Sequence, residues 1–215
     1  MQEYHLPTIK TARYYILGQP SYKAKKLWFV FHGYAQLAAE MLEKFNGLEN
    51  EETVFIAPEG FNRFYKKGFY GDVGASWMTK EDRENEIKDY MIFINNLYQK
   101  YASQLNTPKL SVNLFGFSQG AATAFRVFAD NKFKVDSVIL WAGAPPLDVD
   151  YKKARILSVS TNIKIFVGKD DKLVNKEKLA ETLKLLNESK MKYELLNYDG
   201  GHEIKTEVLK ETITK

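Results

Sequence analysis

Ser118 stands in the stretch Gly116-Phe117-Ser118-Gln119-Gly120, and the chemistry this chain can do begins there. A serine hydroxyl is a weak nucleophile at neutral pH and attacks a carbonyl only when a base takes its proton. Glycines two places before and two places after leave room for a sharp, strained turn that lifts the hydroxyl clear of the backbone. The chain offers three histidines as the base. His5 falls in a loose N-terminal stretch and His32 is bound up with its own turn. That leaves His202, on the turn Gly200-Gly201-His202. An acid must then hold the imidazole in one tautomer and stabilise its protonated form. Asp171, in Gly168-Lys169-Asp170-Asp171, is the expected acid, with Asp170 one residue away as its competitor. The oxyanion formed by the attack needs two backbone N–H donors. They are expected from Gln119, directly after the nucleophile, and from Tyr34 in His32-Gly33-Tyr34.

These residues need elements that carry them to one place. The apolar run Leu110–Phe115 enters the serine turn at strand-like density, and small residues, Gly120 to Ala122 and Ala124, leave it as a helix. Leu27–Phe31 and Val54–Ala57 read as strands covered on both faces, the second stopped by Pro58. Residues 12–17 read as a strand near an edge. A helix with Leu37, Met41, Leu42 and Phe45 on one face follows the His32 turn. Ile87, Tyr90, Met91, Ile94, Leu97, Tyr98 and Tyr101 keep the 3.6-residue period of a long helix, and Pro108 closes the connection after it. Val135–Ala142, Ile163–Val167 and Tyr193–Tyr198 are the remaining strands. A polar connection joins the first two, a helix with Leu179, Leu183 and Leu186 follows the second, and a C-terminal helix ends the chain. Strands alternating with helices predict an α/β fold, a mainly parallel sheet with helices on both faces, in one domain over 1–215. Ligands bind outside the carboxyl ends of such strands, and His32, Ser118, Asp171 and His202 each follow a strand at that end. Between them, Glu59–Arg83 has no clear period and is rich in glycine and aromatics, the mark of a functional loop.

Composition narrows the function classes. The chain has 215 residues, 45% of them hydrophobic, enough for one substantial core. It has no cysteine, which removes disulfides, thiolate catalysis and cysteine-ligated metals and suits a reducing cytoplasm, the expected location. No basic-then-apolar leader opens the sequence, and no apolar run reaches membrane-spanning length. The net charge of +4 comes from dispersed lysines, not from a basic stripe, so no nucleic-acid partner is expected.

Six stretches together carry a resemblance. They are Phe31-His32-Gly33, Ala57-Pro58, Ala75-Ser76-Trp77, Gly116-Phe117-Ser118-Gln119-Gly120, Gly168-Lys169-Asp170-Asp171-Lys172-Leu173-Val174 and Gly200-Gly201-His202. The chain resembles the phospholipase/carboxylesterase group of small α/β-hydrolases, relatives of the acyl-protein thioesterases. The order Ser118, Asp171, His202 is also that of α/β-hydrolases. The resemblance favours Asp171 over Asp170. It implies hydrolysis of carboxylic esters or thioesters, with no cofactor, no metal and no separate lid domain, and it puts Ser76 and Trp77 beside the acyl pocket. The aromatic loop points to an apolar acyl or aryl group on the substrate. Oligomers are compatible with the composition. Two features depart from the group: Lys172, where thioesterase members usually carry proline, and the aromatic and basic run from Phe61 to Gly74 with Arg63, Lys66 and Lys67. The rival expectations are a binding module that keeps the fold without turnover, and the same three residues used on a peptide or amide.

Overall fold

The computed structural model describes residues 1–105 and 109–214. The elements in chain order begin with strands β1 (Tyr14–Leu17) and β2 (Lys26–Phe31), the short helix α1 (Ala38–Leu42) and strand β3 (Thr53–Pro58). Strands β4 (Asn62–Tyr65) and β5 (Val73–Ser76) precede the long helix α2 (Arg83–Leu105). Then come β6 (Ser111–Phe117), α3 (Gln119–Asp130), β7 (Ser137–Trp141), α4 (Tyr151–Leu157) and β8 (Asn162–Gly168). Helix α5 (Lys176–Glu188), β9 (Glu194–Tyr198) and α6 (Thr206–Thr214) end the chain. Pro108, expected to close the connection before β6, lies outside the described residues.

Seven strands form one sheet in the order β1-β3-β2-β6-β7-β8-β9. Only the edge strand β1 runs antiparallel, pairing Tyr14 with Pro58 and Leu17 with Phe55. The alternation of side chains explains the two-sided core. Leu27, Phe29 and Phe31 of β2 join Val112 and Leu114 of β6 in one cluster, under α2, α3, α4 and α5. Trp28, Val30, Phe115 and Phe117 point the other way, into a second cluster under α1 and α6. Both faces of the central strands are therefore apolar, which is why these runs show no polar alternation. Helix α2 buries Tyr90, Ile94, Leu97, Tyr101 and Leu105, one stripe at helical spacing.

The register brings the strand ends together. Phe31 pairs with Gly116, Phe117 with Trp141, Trp141 with Phe166, and Gly168 with Tyr198. The turns that follow β2, β6, β8 and β9 therefore leave one rim of the sheet.

Three local readings change. Glu59–Arg83 is not without structure: β4 and β5 form a two-stranded antiparallel ladder, Asn62 opposite Ser76 through Tyr65 opposite Val73. Four-residue strands, β4 alternately exposed and β5 mostly buried, leave too short a pattern for periodicity to register. The helix read through Phe45 ends at Leu42 and tightens into a 3₁₀ turn over Glu43–Phe45, which still buries Phe45. The polar connection before β8 contains α4, started by Asp150, whose carboxylate accepts from the N–H groups of Lys152 and Lys153. Only Tyr151 and Ala154 of that helix are buried, so its one sequence signal is the cap. Pro58 is the last residue of β3 itself, which suits a residue without an N–H.

Candidate active site

Ser118 sits between β6 and α3 with φ 54° and ψ −115°, a conformation that non-glycine residues rarely adopt. Its N–H donates to the Trp141 carbonyl (2.8 Å), and its carbonyl accepts from Ala121 (3.0 Å). The flanking glycines are required by proximity. A Cβ on Gly116 would stand 2.2 Å from the Gly120 carbonyl oxygen, and one on Gly143 2.5 Å from that of Ser118. The turn can be this tight only because those side chains are missing.

His202 Nε2 lies 2.9 Å from Ser118 Oγ, and His202 Nδ1 lies 2.8 Å from Asp171 Oδ2. An ionised carboxylate can only accept, so Nδ1–H donates to Asp171, and Nε2 is left to accept from the serine hydroxyl. Asp171 is buried, and its other oxygen accepts from the N–H groups of Leu173 (2.9 Å) and Val174 (3.0 Å). Its competitor Asp170 is exposed, and its backbone N–H donates to Gly200. The structure brings together Ser118, His202 and Asp171, and leaves Asp170 outside.

The loop carrying His202 is held from β7 and β9. Tyr198 Oη reaches the carbonyls of both Gly201 and Glu203 (2.9 Å each), and Trp141 Nε1–H donates to Glu203 (2.8 Å). Burial pushes the Tyr198 hydroxyl pKa up, keeping it a neutral donor. The ring of Phe117 packs at 5.0 Å against the imidazole. Neither Trp141 nor Tyr198 stands out in the sequence. Each reads as one more apolar residue of a buried strand, and only the fold aims its polar atom at the loop.

The turn after β2 lies against the serine. A Cβ on Gly33 would come 3.3 Å from Ser118 Cβ. Gly33 N–H donates to the Gln36 side chain, and Ala35 N–H to the Ala75 carbonyl, which docks the β4–β5 ladder on this turn. The backbone N–H groups of Tyr34 and Gln119 meet no acceptor among the described residues. His32 is fully buried: Nδ1–H donates to the Gly33 carbonyl (2.8 Å), Nε2 accepts from Gly60 N–H (3.0 Å), and the ring stacks on Trp77 at 4.9 Å. Desolvation outweighs the hydrogen bond to Gly33 and holds its pKa below the usual imidazole range, so His32 is a neutral structural pin.

Ser76 and Trp77, expected beside an acyl pocket, are buried behind the site. Trp77 packs edge-on against Phe31 and Tyr90, and its indole N–H donates to the His32 carbonyl (2.9 Å). Ser76 and Trp77 hold the Gln119 side chain instead. Gln119 Nε2 donates to Ser76 Oγ (3.1 Å) and the Met78 carbonyl (2.9 Å), and its Oε1 accepts from Trp77 N–H (3.1 Å).

A cavity of about 460 Å³ opens beside Ser118 and His202. Its walls are Ala142–Leu147 and the Leu173–Val174 pair, with Arg83, Asp148 and Lys178 also lining it. The aromatic residues of the β4–β5 segment do not line it. Phe69 and Tyr70 are exposed, and Phe64 stacks on the outward-facing Tyr34 ring at 5.2 Å. Among the described residues, Glu3, His5 and Asp82 are close enough to share a metal ion, but all three are exposed and none belongs to this site.

The parallel sheet, the serine turn and the acid and histidine on later strand ends describe an α/β-hydrolase. The phospholipase/carboxylesterase family profile matches residues 14–214, and the chain belongs to that family. No curated protein matches the sequence significantly. Among solved structures, the chain is similar to Zea mays acyl-protein thioesterase 2, with TM-score 0.73, 16% identity, and 95% of this chain and 97% of that one covered. It is similar to esterase PE8 (TM-score 0.69, 20% identity, 95% and 97% covered). A phospholipase/carboxylesterase from Dyadobacter fermentans DSM 18053 matches over the same shares, with TM-score 0.66 and 20% identity. These likenesses are to the fold. Family membership makes the chain a hydrolase of the phospholipase and carboxylesterase type. No described helix is long and apolar enough to cross a membrane.

Proposed function

We propose that the chain hydrolyses carboxylic esters, thioesters included, through an acyl-enzyme on Ser118. One observation carries this reading: the continuous contact from Ser118 Oγ through the imidazole of His202 to the buried carboxylate of Asp171. His202 Nε2 takes the hydroxyl proton as the oxygen attacks the ester carbonyl, forming a tetrahedral oxyanion. The N–H groups of Gln119 and Tyr34 stabilise that oxyanion, a reading supported by their lack of any other acceptor among the described residues. Protonated His202 then gives its proton to the departing alcohol or thiol, leaving the acyl group on Ser118. Water, deprotonated by the same nitrogen, releases the acid and restores the hydroxyl. Asp171 keeps the imidazole oriented throughout and stabilises its charged form.

The apolar wall from Ala142 to Leu147 supports an apolar segment on the substrate. Absence of cysteine supports a reducing compartment, so the cytoplasm is part of this proposal.

The test is hydrolysis of a para-nitrophenyl ester series, acetate to palmitate, by wild type and Ser118→Ala, alongside labelling by a serine-directed fluorophosphonate. Turnover that falls to background in the variant, with label on Ser118 alone, is expected. A wild type that neither turns over nor labels would overturn the proposal and leave a binding module with the same fold.

A further inference from the structure

The charges around the cavity are unbalanced. Asp148 is the only acid among its lining residues, against Arg83 and Lys178. That acid is already committed. The buried Arg126 grips it through Nε (3.1 Å) and Nη2 (2.9 and 3.1 Å), and also donates to Tyr90 Oη. Burial alone would raise the Asp148 pKa, but the charge and hydrogen bonds of Arg126, with those of Arg83, hold it below the usual range. Arg126 and Asp148 therefore form a neutral pair, and Arg83, held to Asp148 by Nη2 at 2.5 Å, is a surplus cation fixed at the cavity wall. Lys178 makes no ion pair among the described residues; Glu177 and Glu181 of its own helix stand beyond ion-pair distance. It lies in the first turn of α5, where a cation opposes the helix dipole. An anion in the cavity would relieve both.

We propose that this cavity takes esters with a negatively charged arm, held by Arg83 and Lys178 while the apolar wall contacts the chain between that arm and the scissile carbonyl. The inference rests on the serine-esterase reading of the same site. Arg83 and Lys178 are specificity residues and take no part in bond making.

The experiment compares kcat/KM for charged and neutral partners on each side of the ester. On the acyl side, para-nitrophenyl glutarate with its free carboxylate is set against para-nitrophenyl valerate. On the alcohol side, para-acetoxybenzoate is set against its methyl ester. Wild type should prefer the charged member of at least one pair by about tenfold, less so at high salt, and the preferred pair identifies the side the arm occupies. In Arg83→Gln and in Lys178→Gln the charged-to-neutral ratio should fall toward one, mainly through KM. Equal or reversed preference in both pairs, or a preference that survives both substitutions, overturns the proposal. Lys178 is exposed, so its variant keeps the test sound if Arg83→Gln folds poorly. Binding separates the two readings. Calorimetry on Ser118→Ala should show monomethyl glutarate binding more tightly than dimethyl glutarate, with the difference lost when Arg83 or Lys178 is also replaced. If wild type hydrolyses none of the four esters yet this difference appears, the esterase reading fails and the anion subsite stands. If the two glutarates bind alike, the anion subsite falls whatever the turnover.

Discussion

Gly120 lies against the backbone of Phe31, so close that a Cβ on it would stand 2.2 Å from the Phe31 carbonyl oxygen. The start of α3 and the end of β2 touch only because this residue has no side chain. That contact sets the serine turn and the His32-Gly33-Tyr34 turn side by side. Gly120→Ala and Gly116→Ala both push a methyl group into backbone that cannot move without parting the sheet. Each should lose at least about 3 kcal/mol of stability. Gly33→Ala meets the flexible Gln36 side chain and the edge of the Phe117 ring at 3.0 Å, which can give way. That variant should fold, with kcat/KM reduced about 10- to 100-fold as the turn shifts beside Ser118. Thermal melts with ester assays check both. A Gly120→Ala protein that melts with the wild type would contradict the contact.

Asp171→Asn should lower kcat by about 10⁴-fold, because the carboxamide offers His202 Nδ1–H no fixed acceptor and lets the wrong tautomer form. Asp170→Asn should change kcat by less than about twofold, as an exposed neighbour with no contact to the imidazole. Steady-state kinetics on the two variants distinguishes them. Equal losses would mean that the loop after β8 is arranged otherwise in solution.

Gln119→Ala retains the backbone N–H proposed for the oxyanion but removes the side chain that bridges Ser76, Trp77 and Met78. The Trp77 N–H then lies buried without its acceptor, which should cost about 1–3 kcal/mol. Activity should fall as well, by about tenfold, as the start of α3 loosens. Denaturant unfolding and kcat measured together make the check; unchanged stability would show that the bridge is idle.

His32 predicts a pH dependence of stability. Its folded pKa is depressed, so below about pH 6.5 the unfolded chain binds a proton that the folded protein refuses. Stability should therefore fall as pH drops from about 6.5 toward the folded value, with a slope of up to about 1.4 kcal/mol per pH unit from this one group. His32→Asn, which can still donate to the Gly33 carbonyl, should lower stability at pH 7 yet flatten that slope. Unfolding free energies across the range, compared with wild type, test it. An unchanged slope would assign the acid sensitivity to other groups.

The central strands and the long helix were legible because their patterns are long: β2, β3 and β6 bury nearly every residue, and α2 repeats its stripe over about four turns. Ser118 was legible because a strained turn demands glycine at fixed offsets. The β4–β5 ladder and α4 were not, since four- and seven-residue elements leave almost no period to read. Ser76 and Trp77 hold the Gln119 side chain, contacts across 43 and 42 positions that no local pattern carries.

By itself, the sequence determined which groups are available for chemistry: one serine between spaced glycines, three histidines, two adjacent aspartates after a strand, and no thiol. These are matters of residue type and short-range spacing. Tertiary structure alone decided that Asp171, not Asp170, meets His202, that Trp141 and Tyr198 hold the histidine loop, and that Arg83 and Lys178 share a cavity with Ser118. Apart from Tyr198, which reaches carbonyls three and five positions along, those relationships join residues 31 to 95 positions apart. They depend on strand register and on which way a side chain leaves its strand or helix, and neither is fixed until the whole sheet has formed.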